Sequence, residues 1–167
     1  MSEQPVKTAG ASSRRWTWCI AGISFTVIAV VTLLSAWVVR KTAEAYSIEQ
    51  LRSIRDGVRL YVTDGGTMPS GPEWHVALTR HGYVSPHMLQ PPRANMSCEV
   101  CVGYVDGLTE ASLRERGIDP ATQLWMYEIP ACVDGDELAV MTFDGTIRLV
   151  PRAEVVAWIE RVHSAAK

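Results

Sequence analysis

The stretch WTWCIAGISFTVIAVVTLLSAWVV, Trp16 to Val39, contains no charged side chain. At about 1.5 Å per residue, a helix of that length crosses the roughly 30 Å hydrocarbon core of a bilayer. Arg14 and Arg15 precede it and Arg40 and Lys41 follow it, while Trp16, Trp18 and Trp37 stand near its ends, where indole rings favour the membrane interface. A cleaved secretory signal is the rival reading, because Ala43-Glu44-Ala45 offers a small-x-small cleavage site and Arg14-Arg15 after Ser13 has the start of a twin-arginine signal. Such signals carry a shorter apolar core, about 7–15 residues, and Thr17-Trp18 fit the twin-arginine pattern poorly. An uncleaved anchor is therefore expected. Basic residues are nearly balanced across the span, with Lys7, Arg14 and Arg15 before it and Arg40, Lys41, Arg52 and Arg55 after it. Orientation is expected from size instead: a tiny tail inside and the large C-terminal part outside.

Nothing stops the helix at the membrane surface. Ile48, Leu51, Ile54, Val58 and Tyr61/Val62 recur at spacings of three and four, an apolar stripe along one helical face. No proline interrupts Trp16 to Val62, and Gly22 and Gly57 are single glycines of modest cost. Asp64-Gly65-Gly66 supplies the stop, since glycine takes the left-handed conformation that closes helices. A continuous helix on the order of 70 Å is predicted, half in lipid and half on a globular head. The expected segments are a polar tail (1–15), a transmembrane helix (16–39), an amphipathic extension (40–64) and a small α+β head (65–167).

Within the head, Pro72 is placed to open a short helix through Trp74, Ala77 and Leu78 that ends at Gly82. Ser85-Pro86 starts a single turn, which Pro91-Pro92 ends. Val102–Val105 and Leu124–Ile129 read as strands, separated by a charged loop with a helical turn. Glu137 to Phe143 and Thr146 to Val150 flank Asp144-Gly145, a pair suited to a two-residue type I′ hairpin turn. Pairing outward from that turn puts Leu138, Val140, Thr142, Ile147 and Leu149 on one face, expected to cover the amphipathic helix. Pro151 then opens a final helix with Val155, Trp158, Ile159 and Val162 on its apolar side.

The 167 residues carry a net charge of -2 and no basic stripe interleaved with aromatics, so nucleic acid is not an expected partner. No Gly-x-Ser-x-Gly, P-loop, dinucleotide fingerprint or His-Glu-x-x-His occurs. His75, His81, His87 and His163 lack a Ser or Asp at motif spacing. No enzyme, cofactor or small-molecule substrate is expected. Trp74, Trp125 and Trp158 read as core or groove aromatics. Cys19 falls in the apolar run and reads as a small apolar residue. Cys98, Cys101 and Cys132 leave several possibilities open: a disulfide from either of the first two to Cys132, unpaired thiols, a zinc site completed by His75, His81 or His87, or a Cys98-x-x-Cys101 redox pair.

The order of these parts resembles type IV pilins and the pseudopilins of type II secretion. Leu51-Arg-Ser-Ile-Arg-Asp-Gly-Val-Arg-Leu-Tyr61, then Asp64-Gly65-Gly66 and Pro69, resembles the pseudopilin stretch L-x-x-I-x-x-A-L-x-x-Y…D-x-G-x-x-P. His81-Gly82-Tyr83-Val84-Ser85-Pro86 with Leu89 and Pro91-Pro92 is similar to a following GYISPELL…P segment, and Val140 to Ile147 to a VLFADGHV strand-turn-strand. The likeness runs over most of Trp16 to Trp158. No acidic residue lies between Glu3 and Glu44, so the Glu at the family's fifth mature position is missing. Neither Gly10 nor Gly22 is followed by the family's cleavage pattern, and Asp134 stands where many relatives have His. The resemblance therefore implies a pilin-like fold kept on a permanent anchor in a bacterial inner membrane, with the head on the periplasmic side. Its implied partners are the membrane and other envelope or secretion-assembly proteins, or further copies of itself. Some secretion pseudopilins hold calcium in a loop of the head, which makes Asp134, Asp136 and Glu137 candidate ligands. The competing expectation, from another class, is a membrane-tethered thiol-redox or metal-binding module using Cys98, Cys101 and Cys132.

Overall fold

The computed structural model describes residues 10–65, 67–94 and 98–165, with side chains for residues 24–162 among these. The side chains of Arg14, Arg15, Trp16, Trp18, Cys19 and His163, the residue Gly66 and the start of the polar tail lie outside that description. The chain divides between Lys41 and Thr42 into two compact units.

Helix α1 runs over Gly10–Thr63, without a break at either single glycine. In the first unit its apolar side chains stand exposed, Phe25 at 76% and Leu33 at 71% among them. Thr32 folds its hydroxyl back onto the Ile28 carbonyl at 2.8 Å. A hydroxyl satisfied within its own helix suits a hydrocarbon setting. This is one helix long and apolar enough to cross a membrane.

In the second unit the same helix buries one face. Leu51, Ile54 and Val58 are at most 1% exposed, each contributing about 1.5–3 kcal/mol by leaving water. The face continues toward the N-terminus in polar residues: Glu44, Ser47 and Gln50 are all buried. Gln50 Nε2 donates to the Met88 carbonyl, which ties α1 to the 3-10 turn Pro86–Leu89. Of the expected pair Tyr61/Val62, Tyr61 packs partly buried against the core and Val62 is exposed. The helix closes as expected, with Gly65 at φ +93 and Tyr83 Oη donating to Asp64 at 2.7 Å.

Short helices α2 (Trp74–Arg80) and α3 (Glu110–Glu115) and the strands β1 (Val102–Tyr104), β2 (Leu124–Glu128), β3 (Glu137–Thr142) and β4 (Ile147–Pro151) follow, then α4 (Arg152–Ala165). Helix α2 starts at Trp74, two residues past the proline expected to open it. The strands form one antiparallel sheet in chain order, β1-β2-β3-β4. A bulge between Leu124 and Met126 leaves Trp125 as the extra residue, and its ring stacks on Phe143 at 5.8 Å. Gly103 faces Tyr127 across the ladder, and a Cβ there would sit 2.3 Å from the tyrosine ring. The protein is thus α+β, with a long N-terminal helix and a small four-stranded sheet.

The hairpin corrects the expected register. A type I′ turn needs positive φ at both central residues, yet among the described residues no non-glycine has positive φ; only Gly145, at +87, does here. Thr142 N donates to Thr146 O at 3.0 Å and Gly145 N to Thr142 O at 2.9 Å, closing a three-residue loop, Phe143-Asp144-Gly145. The Asp144 carboxylate holds it, accepting from the Thr142 hydroxyl at 2.6 Å and from Thr146 N and Oγ1 at 3.0 and 2.7 Å. Met141 therefore pairs with Ile147 and Ala139 with Leu149, while Leu138 and Val140 pair with Val150 and Arg148. One residue of slip moves every β4 side chain to the other face. Ile147 and Leu149 share a face with Ala139 and Met141, not with Leu138, Val140 and Thr142. Helix α4 covers the Leu138/Val140 face, as Arg148 lies 5.7 Å over the Trp158 ring and Leu124 and Tyr127 share a cleft with Ile159 and Val162. Val140, expected under α1, pairs with Arg148 and so lies on the face that α4 covers.

Candidate functional site

The densest chemistry lies where the segment before β1 meets the loop between β2 and β3. Backbone bonds bring them together. Cys101 N donates to Leu89 O and Ile129 N to Cys101 O, both at 2.8 Å; Asp134 N donates to Arg93 O at 2.9 Å, beside an isolated bridge between Ala94 and Val133. Cys98 and Cys132 are joined in a disulfide with Cα atoms 5.7 Å apart. The bridge spans 34 residues of sequence, which in the chain-entropy account stabilises by about 3–4 kcal/mol. Of the two cysteines offered by the sequence, Cys98 takes the bridge.

Cys101 remains a buried free thiol, 0% exposed. Its sulfur and those of Cys98 and Cys132 all lie within 4.8 Å of one another. Burial, and secondarily the charge of Glu128, pushes the Cys101 thiol above its ordinary range. The Cys98-x-x-Cys101 pair stands between loop and strand, without the helix N-terminus that acidifies reactive thiols. His75, His81 and His87 do not join the three sulfurs.

Beneath the cysteines sits an ion pair that sequence reading missed. Glu128, 1% exposed, closes β2, and its Oε2 accepts from Arg93 Nη2 at 2.8 Å and from Ala139 N at 2.7 Å. Arg93 Nη1 also donates to the Glu137 carbonyl at 3.1 Å. The carboxylate thus substitutes for a backbone acceptor where the ladder ends. Glu128 Oε1 and Arg93 Nε are buried with no hydrogen-bond partner. Removing one partner of such a pair is costly, because it strands a buried charge. A charged residue at the end of a strand reads as solvated in sequence, and only the fold reveals the arginine opposite.

The expected calcium ligands do not come together. Among the described residues, the Cys/His/Asp/Glu atoms that converge are the three sulfurs. Asp134 and Asp136 point to solvent. The loop carbonyls already surround a cation: Arg152, at the start of α4, donates to the carbonyls of Pro130, Val133 and Gly135, with Nη2 at 2.5 Å from Val133 O and Nε at 2.9 Å from Gly135 O.

A second feature is a cleft of about 380 Å³ between the C-terminal turns of α1 and the bulged strand, lined by the apolar Val58, Met68, Trp125 and Phe143 and by the charged Arg59 and Glu110. Trp125 reaches that lining because the β2 bulge displaces it from the ladder. No family model, no curated protein and no solved structure matches the chain.

Proposed function

We propose that this protein is a membrane-anchored, pseudopilin-like component of a secretion or pilus-type envelope assembly, acting through protein–protein contacts rather than catalysis. One observation carries the reading. A single helix presents an exposed apolar stretch in its first unit and supplies the buried Leu51, Ile54 and Val58 to a head built on a small antiparallel sheet. The Cys98–Cys132 bridge fits a head on the oxidising, periplasmic side of a bacterial inner membrane.

The test is cross-linking of the full chain in its native membrane, followed by purification and mass spectrometry. Envelope-assembly subunits, or a second copy of this chain, should be joined to α1 or the head. Cross-links confined to lipid, with no protein partner, would remove the basis of the reading.

A further inference from the structure

A disulfide with a third sulfur beside it is not a closed chemical unit. Thiol–disulfide exchange requires a thiolate to reach one sulfur of the bridge, and access governs which sulfur is attacked. Here Cys101 cannot meet a reagent from solvent, since it is 0% exposed, but it lies within 4.8 Å of both bridged sulfurs. Cys132 is 8% exposed, whereas Cys98 is the partly exposed member of the three. Cys98 also lies outside the ladder, three residues before Cys101 and ahead of the first residue of β1. Its backbone carbonyl is held by Gln90 Nε2 at 3.3 Å, and the Cys101 sulfur lies 3.8 Å from the same carbonyl. The segment that carries the outer sulfur is thus tied less firmly than the two inner cysteines, whose backbones bond to Leu89 and Ile129.

We propose that Cys98, Cys101 and Cys132 form an internal exchange site, in which the bridge moves from Cys98–Cys132 to Cys101–Cys132 and Cys98 becomes a reactive surface thiol. The Cys101 thiol loses its proton to water, and the thiolate attacks Cys132 Sγ. The Cys101–Cys132 bond forms as the Cys98–Cys132 bond breaks, and Cys98 leaves as a thiolate that takes a proton back from water. One disulfide and one thiol are present before and after, so no oxidant or reductant is consumed. Burial and Glu128 keep the Cys101 thiolate scarce, which places the exchange among slow rearrangements of minutes to hours rather than among catalytic ones. The consequence is a modification site at Cys98, open to alkylating agents and to external disulfides, that the resting bridge conceals. It stands independently of the pilin-like reading.

Iodoacetamide labelling of the full chain in detergent, without reductant and in a Cys19→Ser background, tests this. Cleavage after Glu99 and Glu128 separates the three cysteines onto different peptides. Native labelling over hours should place a stoichiometric label on Cys98 and leave a Cys101–Cys132 cross-linked peptide, whereas protein unfolded directly into denaturant with excess iodoacetamide at the same pH carries its label on Cys101. Label on Cys101 or Cys132 in the native protein would overturn the proposal. So would a protein that stays unlabelled until it is unfolded. Cys101→Ser should abolish labelling of Cys98; undiminished labelling there would mean that the bridge opens without Cys101, and would overturn it as well.

Discussion

Gly57 sets two physical effects against each other, and the structure decides which prevails. In the interior of an exposed helix, Gly→Ala stabilises by about 1 kcal/mol, because alanine loses less backbone entropy. The pilin-like motif that this stretch resembles has alanine at the matching place. In this protein, however, a Cβ at Gly57 would lie 2.6 Å from the Tyr83 carbonyl oxygen and 2.6 Å from Val84 Cγ2. Neither neighbour yields easily: Tyr83 N and Val84 N both donate to Leu78 O, at 2.9 and 3.3 Å, and Tyr83 Oη is held by Asp64. Forcing a methyl group into a packed site of this kind costs typically 1–3 kcal/mol, and more where backbone must move. Taking the upper end of that range and subtracting the helical gain of about 1 kcal/mol, Gly57→Ala should lose about 2 kcal/mol net and lower the melting temperature of the Thr42–Lys167 unit by about 8 °C. Circular dichroism during a reversible thermal scan reads this directly. A raised melting temperature would refute the close approach of the Tyr83–Val84 backbone to α1.

Three further outcomes follow from the same geometry. Ile54→Ala removes a side chain that is 0% exposed and should cost about 2–5 kcal/mol in urea unfolding, whereas Leu60→Ala, at 57% exposure, should stay within about 0.5 kcal/mol; equal effects would show that the helix does not pack on the sheet. Hydrogen bonds from the Thr142 hydroxyl and then Thr146 N hold the Asp144 carboxyl below its usual range, so its contribution is present above the unfolded value near 3.8 and is lost as pH falls through the lower folded value. The melting temperature of Asp144→Asn should accordingly fall less than that of the parent as pH drops below about 4, and parallel curves would remove the carboxylate from the account. Val30→Asp places a charge in the apolar stretch at about 2.5–3.5 kcal/mol on insertion scales, so membrane recovery of that variant should drop; unchanged recovery would count against the span.

Much of the fold was legible because periodicity and punctuation agreed. The three-and-four spacing of Leu51, Ile54 and Val58 located the buried face of α1, and proline and glycine bounded the turn at Pro86 and the start of α4. The hairpin was legible as a hairpin but not in register. Asp-Gly favours a two-residue turn, and here two threonine hydroxyls flanking Asp144 favour a three-residue one. The polar half of the buried stripe was hidden, because Glu44, Ser47 and Gln50 read as solvent-facing until the head covers them. The candidate site was legible only as residue types. Which cysteine bridges to Cys132 depends on backbone bonds from Leu89, Arg93 and Ile129, which sequence spacing does not contain. The Arg152 that binds the carbonyl of Gly135 lies seventeen positions beyond it, a pairing the spacing does not contain.

The anchor is the feature on which the membrane-bound role rests. Its direct measurement is fractionation of the full-length protein from its native host, with a carbonate wash of the membranes and an intact mass of what remains in the pellet. The protein should stay in the pellet with its N-terminal segment, including Trp16 to Val39, still attached. A soluble product beginning near Tyr46, just past Ala43-Glu44-Ala45, would contradict it.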